Sequence, residues 1–172
     1  MIRYATLFIA TIMTFVLFNV MIYQKKTLLK SGETVYFSIL PADPRSLMQG
    51  DYMTFRYALE NEIEQSQLAP AKNHGYLVIA YDDQSIGHFK RFYSGEALSA
   101  NERLLKFSYR PMQFPKWDIK PHTFFFQEKL QPEFQKATYA IFHYNGAKNY
   151  LLVGLADQDK KRIEPEDLRK NQ

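Results

Sequence analysis

Ser46 and Lys90 are the two side chains in this sequence that could build a covalent catalyst. Ser46 would supply a hydroxyl nucleophile and Lys90 a general base, which requires a lysine amine that is desolvated, neutral and within hydrogen-bond reach. The competing reading of Ser46 is a turn hydroxyl, because it follows Asp43-Pro44-Arg45. His74, His88, His122 and His143 stand at no metal-ligand spacing and the chain has no cysteine, so neither a metal nor a cofactor is expected. Asp82-Asp83 lies between two apolar runs and reads as a hairpin turn in preference to an acid–base pair. Lys90, Arg91, Arg103, Lys106, Arg110, Lys116 and Lys120 interleave with Phe89, Phe92, Tyr93, Phe107, Tyr109 and Trp117. Such a pattern could track single-stranded nucleic acid, but half-buried strands produce it without any ligand. A net charge of +4 over 172 residues falls short of a nucleic-acid binder, and no such partner is expected.

The elements that must position these groups begin with an anchor. After a short tail, residues 1–3, residues 4–23 contain no charge. Roughly 20 helical residues at about 1.5 Å each cover a hydrocarbon core of about 30 Å. Tyr4 and Tyr23 stand at its two ends, where amphipathic rings favour the interface. A cleaved signal peptide would need small residues at the cleavage site, and Phe18-Asn19-Val20-Met21-Ile22-Tyr23 offers none. The expected partner of this segment is the lipid bilayer. Its threonines can bond back to their own helix, whereas Asn19 reads as interfacial or as a contact to another helix. Lys25, Lys26 and Lys30 follow the span and outnumber Arg3 before it, which by the flanking-charge rule alone favours a cytoplasmic domain. They also suit attraction to anionic headgroups.

Residues 24–32 read as a polar juxtamembrane linker that could continue the helix to Gly32. A single β-rich domain follows over residues 33–156, and residues 157–172 read as a polar tail with balanced charge. Aromatic residues make up 16% of the chain, which favours sheet. The expected strands are Glu33–Leu40, Asp51–Tyr57, Gly75–Tyr81, Ile86–Tyr93, Glu102–Arg110 and His122–Gln127, followed by a hairpin, Thr138–Tyr144 and Asn149–Leu155, around Asn145-Gly146. Ala58–Lys72 reads as a short helix or loop, Pro111–Pro121 as a loop and Pro132–Ala137 as a short helix. The predicted class is mainly β, with α+β as its neighbour: about eight strands with one or two short helices behind one transmembrane helix.

Residues 40–57 are the most specialised stretch. Asp43 is suited to an Asx-turn or to capping one helical turn, and Pro44 suits the position after it. Gly50 offers a backbone position open to positive φ, and Asp51 can organise a turn by accepting backbone N–H bonds, with Arg45 or Arg56 as its counter-charge. On a period of two, Asp51, Met53, Phe55 and Tyr57 face the core while Tyr52, Thr54 and Arg56 face outward.

Gly50-Asp51-Tyr52-Met53-Thr54-Phe55-Arg56-Tyr57 resembles the signature of the GDYXXLXY family of bacterial membrane-anchored proteins, with Phe55 where the family has Leu. Phe124-Phe125-Phe126-Gln127-Glu128, Ala137-Thr138-Tyr139 and Leu151-Leu152-Val153-Gly154-Leu155 are similar to that family's aromatic run closed by Glu, its short helix and its final hairpin. Lys129-Leu130 stands where the family usually has a glycine. The resemblance implies a single-pass protein of the inner (plasma) membrane whose globular part is extracytoplasmic, in keeping with a three-residue tail retained inside. It also implies a partner, since members often occur beside or fused to multi-spanning membrane proteins; it implies no reaction. The function expected is an accessory or interaction module, with Asp43, Arg45, Gly50, Asp51, Tyr52, Arg56, Tyr57 and Glu128 as candidate motif or binding residues. The alternative is a hydrolase. Ser46 through Asp51, with Phe89-Lys90-Arg91, is loosely similar to the Ser-Met…Gly-Asp and Lys-Arg boxes of type I signal peptidases, but Leu47 replaces the Met and no glycine-rich box follows.

Overall fold

A computed structural model of the chain describes residues 2–41, 52–113, 115–126 and 131–164. The apolar run forms part of one long helix, α1 (Ile2–Ser31), so the juxtamembrane residues are helical up to the glycine. The helix is apolar all round over its first turns and long and apolar enough to cross a membrane. Thr11, Thr14 and Asn19 each donate to the carbonyl four residues back, at 2.9, 2.9 and 2.8 Å, which gives each a partner within the helix itself.

The rest is mainly β, as the alternation predicts. The strands are β1 (Glu33–Pro41), β2 (Tyr52–Tyr57), β3 (His74–Tyr81), β4 (Gly87–Phe92), β5 (Glu102–Tyr109), β6 (Trp117–Ile119), β7 (Thr123–Phe125), β8 (Tyr139–Asn145) and β9 (Asn149–Ala156). Two short helices, α2 (Leu59–Gln65) and α3 (Gln131–Phe134), interrupt them. One sheet has the order β7-β2-β1-β8-β9 and the other β4-β3-β5-β6, with antiparallel pairing between neighbours. Val35, Phe37, Ile39, Phe55, Tyr57 and Phe142 from the first sheet and Leu77, Ile79, Leu105, Phe107 and Ile119 from the second share one hydrophobic core. Burying both inner faces in this way is what the period-two pattern is for.

One correction concerns Pro111–Pro121, expected to be a loop. Within it β6 pairs with the edge of β5, Phe107 opposite Ile119 and Tyr109 opposite Trp117. Trp117 stacks on Phe92 and touches Phe107 and Tyr109, so these rings pack on one another in the interior. Residues 157–164 turn back: Asp157 accepts the backbone N–H groups of Asp159 and Lys161, Ile163 N–H donates to Leu155 O at 2.9 Å, and Ile163 packs on the core.

The joint between α1 and the sheet is tight. Leu28 is fully buried, and Lys25 Nζ reaches Asn149 Oδ1 at 3.4 Å beside the β8–β9 hairpin. The hairpin turn itself carries Gly146 at φ 72°, the left-handed geometry that Asn-Gly turns favour. His143 Nδ1 lies 3.2 Å from Leu28 O and 3.1 Å from Leu29 O. Since carbonyls only accept, Nδ1 carries the proton and donates to the carbonyls of the last turn, where Leu28 O also accepts Gly32 N–H at 3.1 Å.

Candidate functional site

The described part of the signature is β2, and its burial alternates as expected. Met53, Phe55 and Tyr57 are buried, while Tyr52, Thr54 and Arg56 are half-buried on the other face. Tyr57, a candidate binding residue by sequence, is a packing residue: its ring meets Phe37, Phe55 and Phe142 edge-on and its hydroxyl donates to Pro121 O. Burial pushes the Tyr57 phenol well above its ordinary pKa, so it stays a neutral donor. Tyr52 packs against Phe125, its cross-strand partner on the edge strand β7, and Phe125 is 71% exposed. Asp43, Arg45, Ser46, Gly50, Asp51 and Glu128 lie outside the described residues.

Arg56 faces α2. Its Nε and Nη2 donate to Glu60 Oε2 at 2.8 and 2.6 Å, and Tyr57 N–H donates to Oε1 at 3.3 Å. Glu60 is only 3% exposed, and burial raises its pKa while the Arg56 hydrogen bonds pull it down. The pair lines a cavity of about 500 Å³, open to solvent, together with the apolar Phe55, Trp117 and Ile119. A second charged cluster lines it too. Arg110 Nη2 and Lys120 Nζ approach the same oxygen, Asp118 Oδ2, at 3.3 and 3.6 Å, and His122 Nδ1 lies 3.3 Å from Oδ1. Among the described residues, Asp118 Oδ1 and Trp117 Nε1 are buried without an aligned hydrogen-bond partner. Sequence reasoning weighed Arg110, Trp117 and Lys120 as a nucleic-acid track and His122 as a metal ligand, set both aside for strands and loops, and did not group them with Arg56 and Glu60. A Trp-Asp-Ile triplet between prolines was the signal for β6, and it is too short for alternation to register.

The other sequence candidates are distributed elsewhere. Lys90 Nζ pairs with Glu102 at 2.8 Å and its side chain is 50% exposed, so it is neither desolvated nor free, as a general base must be. Glu102 also accepts two hydrogen bonds from Arg91, at 2.8 and 3.1 Å, and one from Ser99 N–H; the Arg91 and Lys90 contacts hold its carboxyl below the usual range. His88 meets Glu62 at 3.1 Å, and Asp82 Oδ1 accepts the N–H groups of Gln84 and Ile86, making the turn that its sequence suggests. Among the described residues no three metal-ligating side chains converge.

A family model described as GDYXXLXY protein matches residues 14–155, a span that runs from within α1 to β9. No curated protein and no solved structure matches the chain.

Proposed function

Because this chain belongs to the GDYXXLXY protein family, we propose that it is a single-pass, membrane-anchored interaction module of the bacterial cell envelope, with its β domain on the extracytoplasmic side of the inner membrane. The observation that carries this reading is α1. Leu7, Phe8, Ile9, Met13, Phe15 and Leu17 are each more than half exposed, on a helix that then runs unbroken into the domain. Such a surface is stable only against other apolar matter, and a bilayer supplies it all round. A reporter fused after Gln172 is expected to be active outside the cytoplasm, and intact-mass measurement is expected to find the chain uncleaved, starting at Met1 or Ile2. A cytoplasmic reporter signal would reverse the orientation; cleavage after the span would remove the anchor.

The partner in this reading is a multi-spanning membrane protein, and Tyr52 with Phe125 is the surface offered to it. Aromatic pairs standing out from a sheet edge bring large contact area at low entropic cost. Arg56, the other outward residue, is engaged by Glu60. The register sets a condition on the partner. Arg56 lies opposite Leu40, seven residues along β1 from Glu33 and so about 23 Å along the strand from the helix end, with Tyr52 farther still. A partner that contacts Tyr52 must therefore reach at least that far along β1 from the helix end. Tyr52→Ala with Phe125→Ala is expected to melt like wild type while co-purification of a multi-spanning protein from mild detergent falls severalfold. Undiminished co-purification would move the contact to another face.

A further inference from the structure

We propose that the cavity between β2, α2 and β6 binds a small organic anion that carries an apolar body, with its acid group against Arg110 and Lys120 and its body against Trp117 and Ile119. This goes beyond the membrane reading and does not depend on it. Size comes first: about 500 Å³ is within the roughly 300–1,000 Å³ range of small-molecule sites. The apolar part of the lining is preformed, since Phe55, Trp117 and Ile119 are all at most 5% exposed.

Charge then selects the ligand. The lining holds Arg56, Arg110 and Lys120 against two carboxylates, Glu60 and Asp118. Arg56 and Glu60 satisfy each other at 2.6 Å. Arg110 and Lys120 are left to share Asp118 Oδ2 at 3.3 and 3.6 Å, longer than the roughly 2.7–2.9 Å of a good charge-assisted bond. Among the described residues, one carboxylate thus faces two cations, with His122 beside them, and a positive charge is left over at the mouth. Arg110 also donates to Gln113 at 3.2 Å, which leaves further N–H groups of its fork for a planar acid group. Both side chains are open to solvent, 53% and 64% exposed, so a ligand can reach them. A cationic ligand would meet the surplus charge and gain only the already paired Glu60 and Asp118.

Trp117 is the single tryptophan of the chain and lines this cavity, so its fluorescence is a probe placed at the site. The full-length protein in non-ionic detergent is titrated with phenylacetate, neutral phenylacetamide and phenethylammonium. Phenylacetate is expected to change Trp117 emission saturably, with a half-saturation concentration about tenfold below that of the other two, the size of one charge-assisted contact. Arg110→Gln and Lys120→Gln are each expected to weaken it severalfold. Asp118→Asn is expected to strengthen it, because the two cations lose their internal competitor; general damage to the fold would not tighten binding. Lys120→Gln alters a largely exposed side chain, so it remains informative if another variant fails to fold. Equal responses to the three probes, no saturable response, or phenylacetate binding indifferent to Lys120→Gln would each overturn the assignment.

Discussion

Tyr57→Ala is expected to remove most of the domain's stability, about 3–5 kcal/mol by analogy with other buried aromatic truncations. Its ring is fully buried where the two sheets meet and contacts Phe37, Phe55 and Phe142 at centroid distances of 6.1, 5.4 and 6.2 Å. Deleting it opens a void that β1, β2 and β8 would have to close, and β2 lies between β1 and β7 with little freedom to shift. Tyr57→Phe keeps the ring and leaves Pro121 O without its donor, for a loss of about 1–2 kcal/mol. Chemical denaturation of the full chain in detergent, followed by Trp117 emission, measures both. Tyr57→Ala with a wild-type midpoint would show that the last residue of the signature is not part of the core and return it to the binding candidates.

Gly32→Val is expected to uncouple the anchor from the domain. Even a single added carbon at Gly32 would stand 2.5 Å from Leu28 O and 2.6 Å from His143 Cβ, one of them backbone and the other the side chain that closes the helix end. Neither can give without moving α1 off β8. The cost is one of space and not of backbone conformation, on the order of 1–3 kcal/mol for overpacking and more for a branched side chain. The sheets keep their shared core, so the loss is confined to the joint. Trypsin reads this directly, because Lys25, Lys26 and Lys30 lie on the exposed side of the helix just before the glycine. Cleavage there should accelerate at least several-fold while the β domain survives as a fragment. Unchanged cleavage would mean that the joint has slack.

The apolar helix, the strands other than β6 and the final hairpin are legible in the sequence because each is written in local chemistry. An uncharged run long enough to span a bilayer, alternation on β1 and β2, and Asn145-Gly146 need no knowledge of distant residues. The inward placement of Tyr57 follows from the same alternation. The cavity is different in kind. Arg56, Glu60, Arg110, Asp118 and Lys120 come from four separate stretches, and only the pairing of β6 with β5 and of β2 with β7 brings them round one space. The run Glu60, Glu62 and Glu64 looks uniformly solvated, yet α2 has seven residues, too few for an amphipathic period to show that Glu60 turns inward to Arg56 and Glu62 toward His88. Ion pairs made by a buried carboxylate carry no sequence periodicity at all; Glu102 with Arg91 and Lys90 is another instance.

Gly32 is the only residue between α1 and β1, so the helix and the sheet turn as one piece. A helix rotates by about 100° and climbs about 1.5 Å for every residue, which makes the anchor a screw thread. In the membrane-anchored reading proposed above, the number of residues between the bilayer and Gly32 then fixes both the altitude of the cavity mouth and its compass bearing about the membrane normal. One residue inserted beside Lys26 would swing the mouth through about 100° for almost no gain in height. Seven would raise it by about 10 Å and bring it back to within about 20° of its starting bearing.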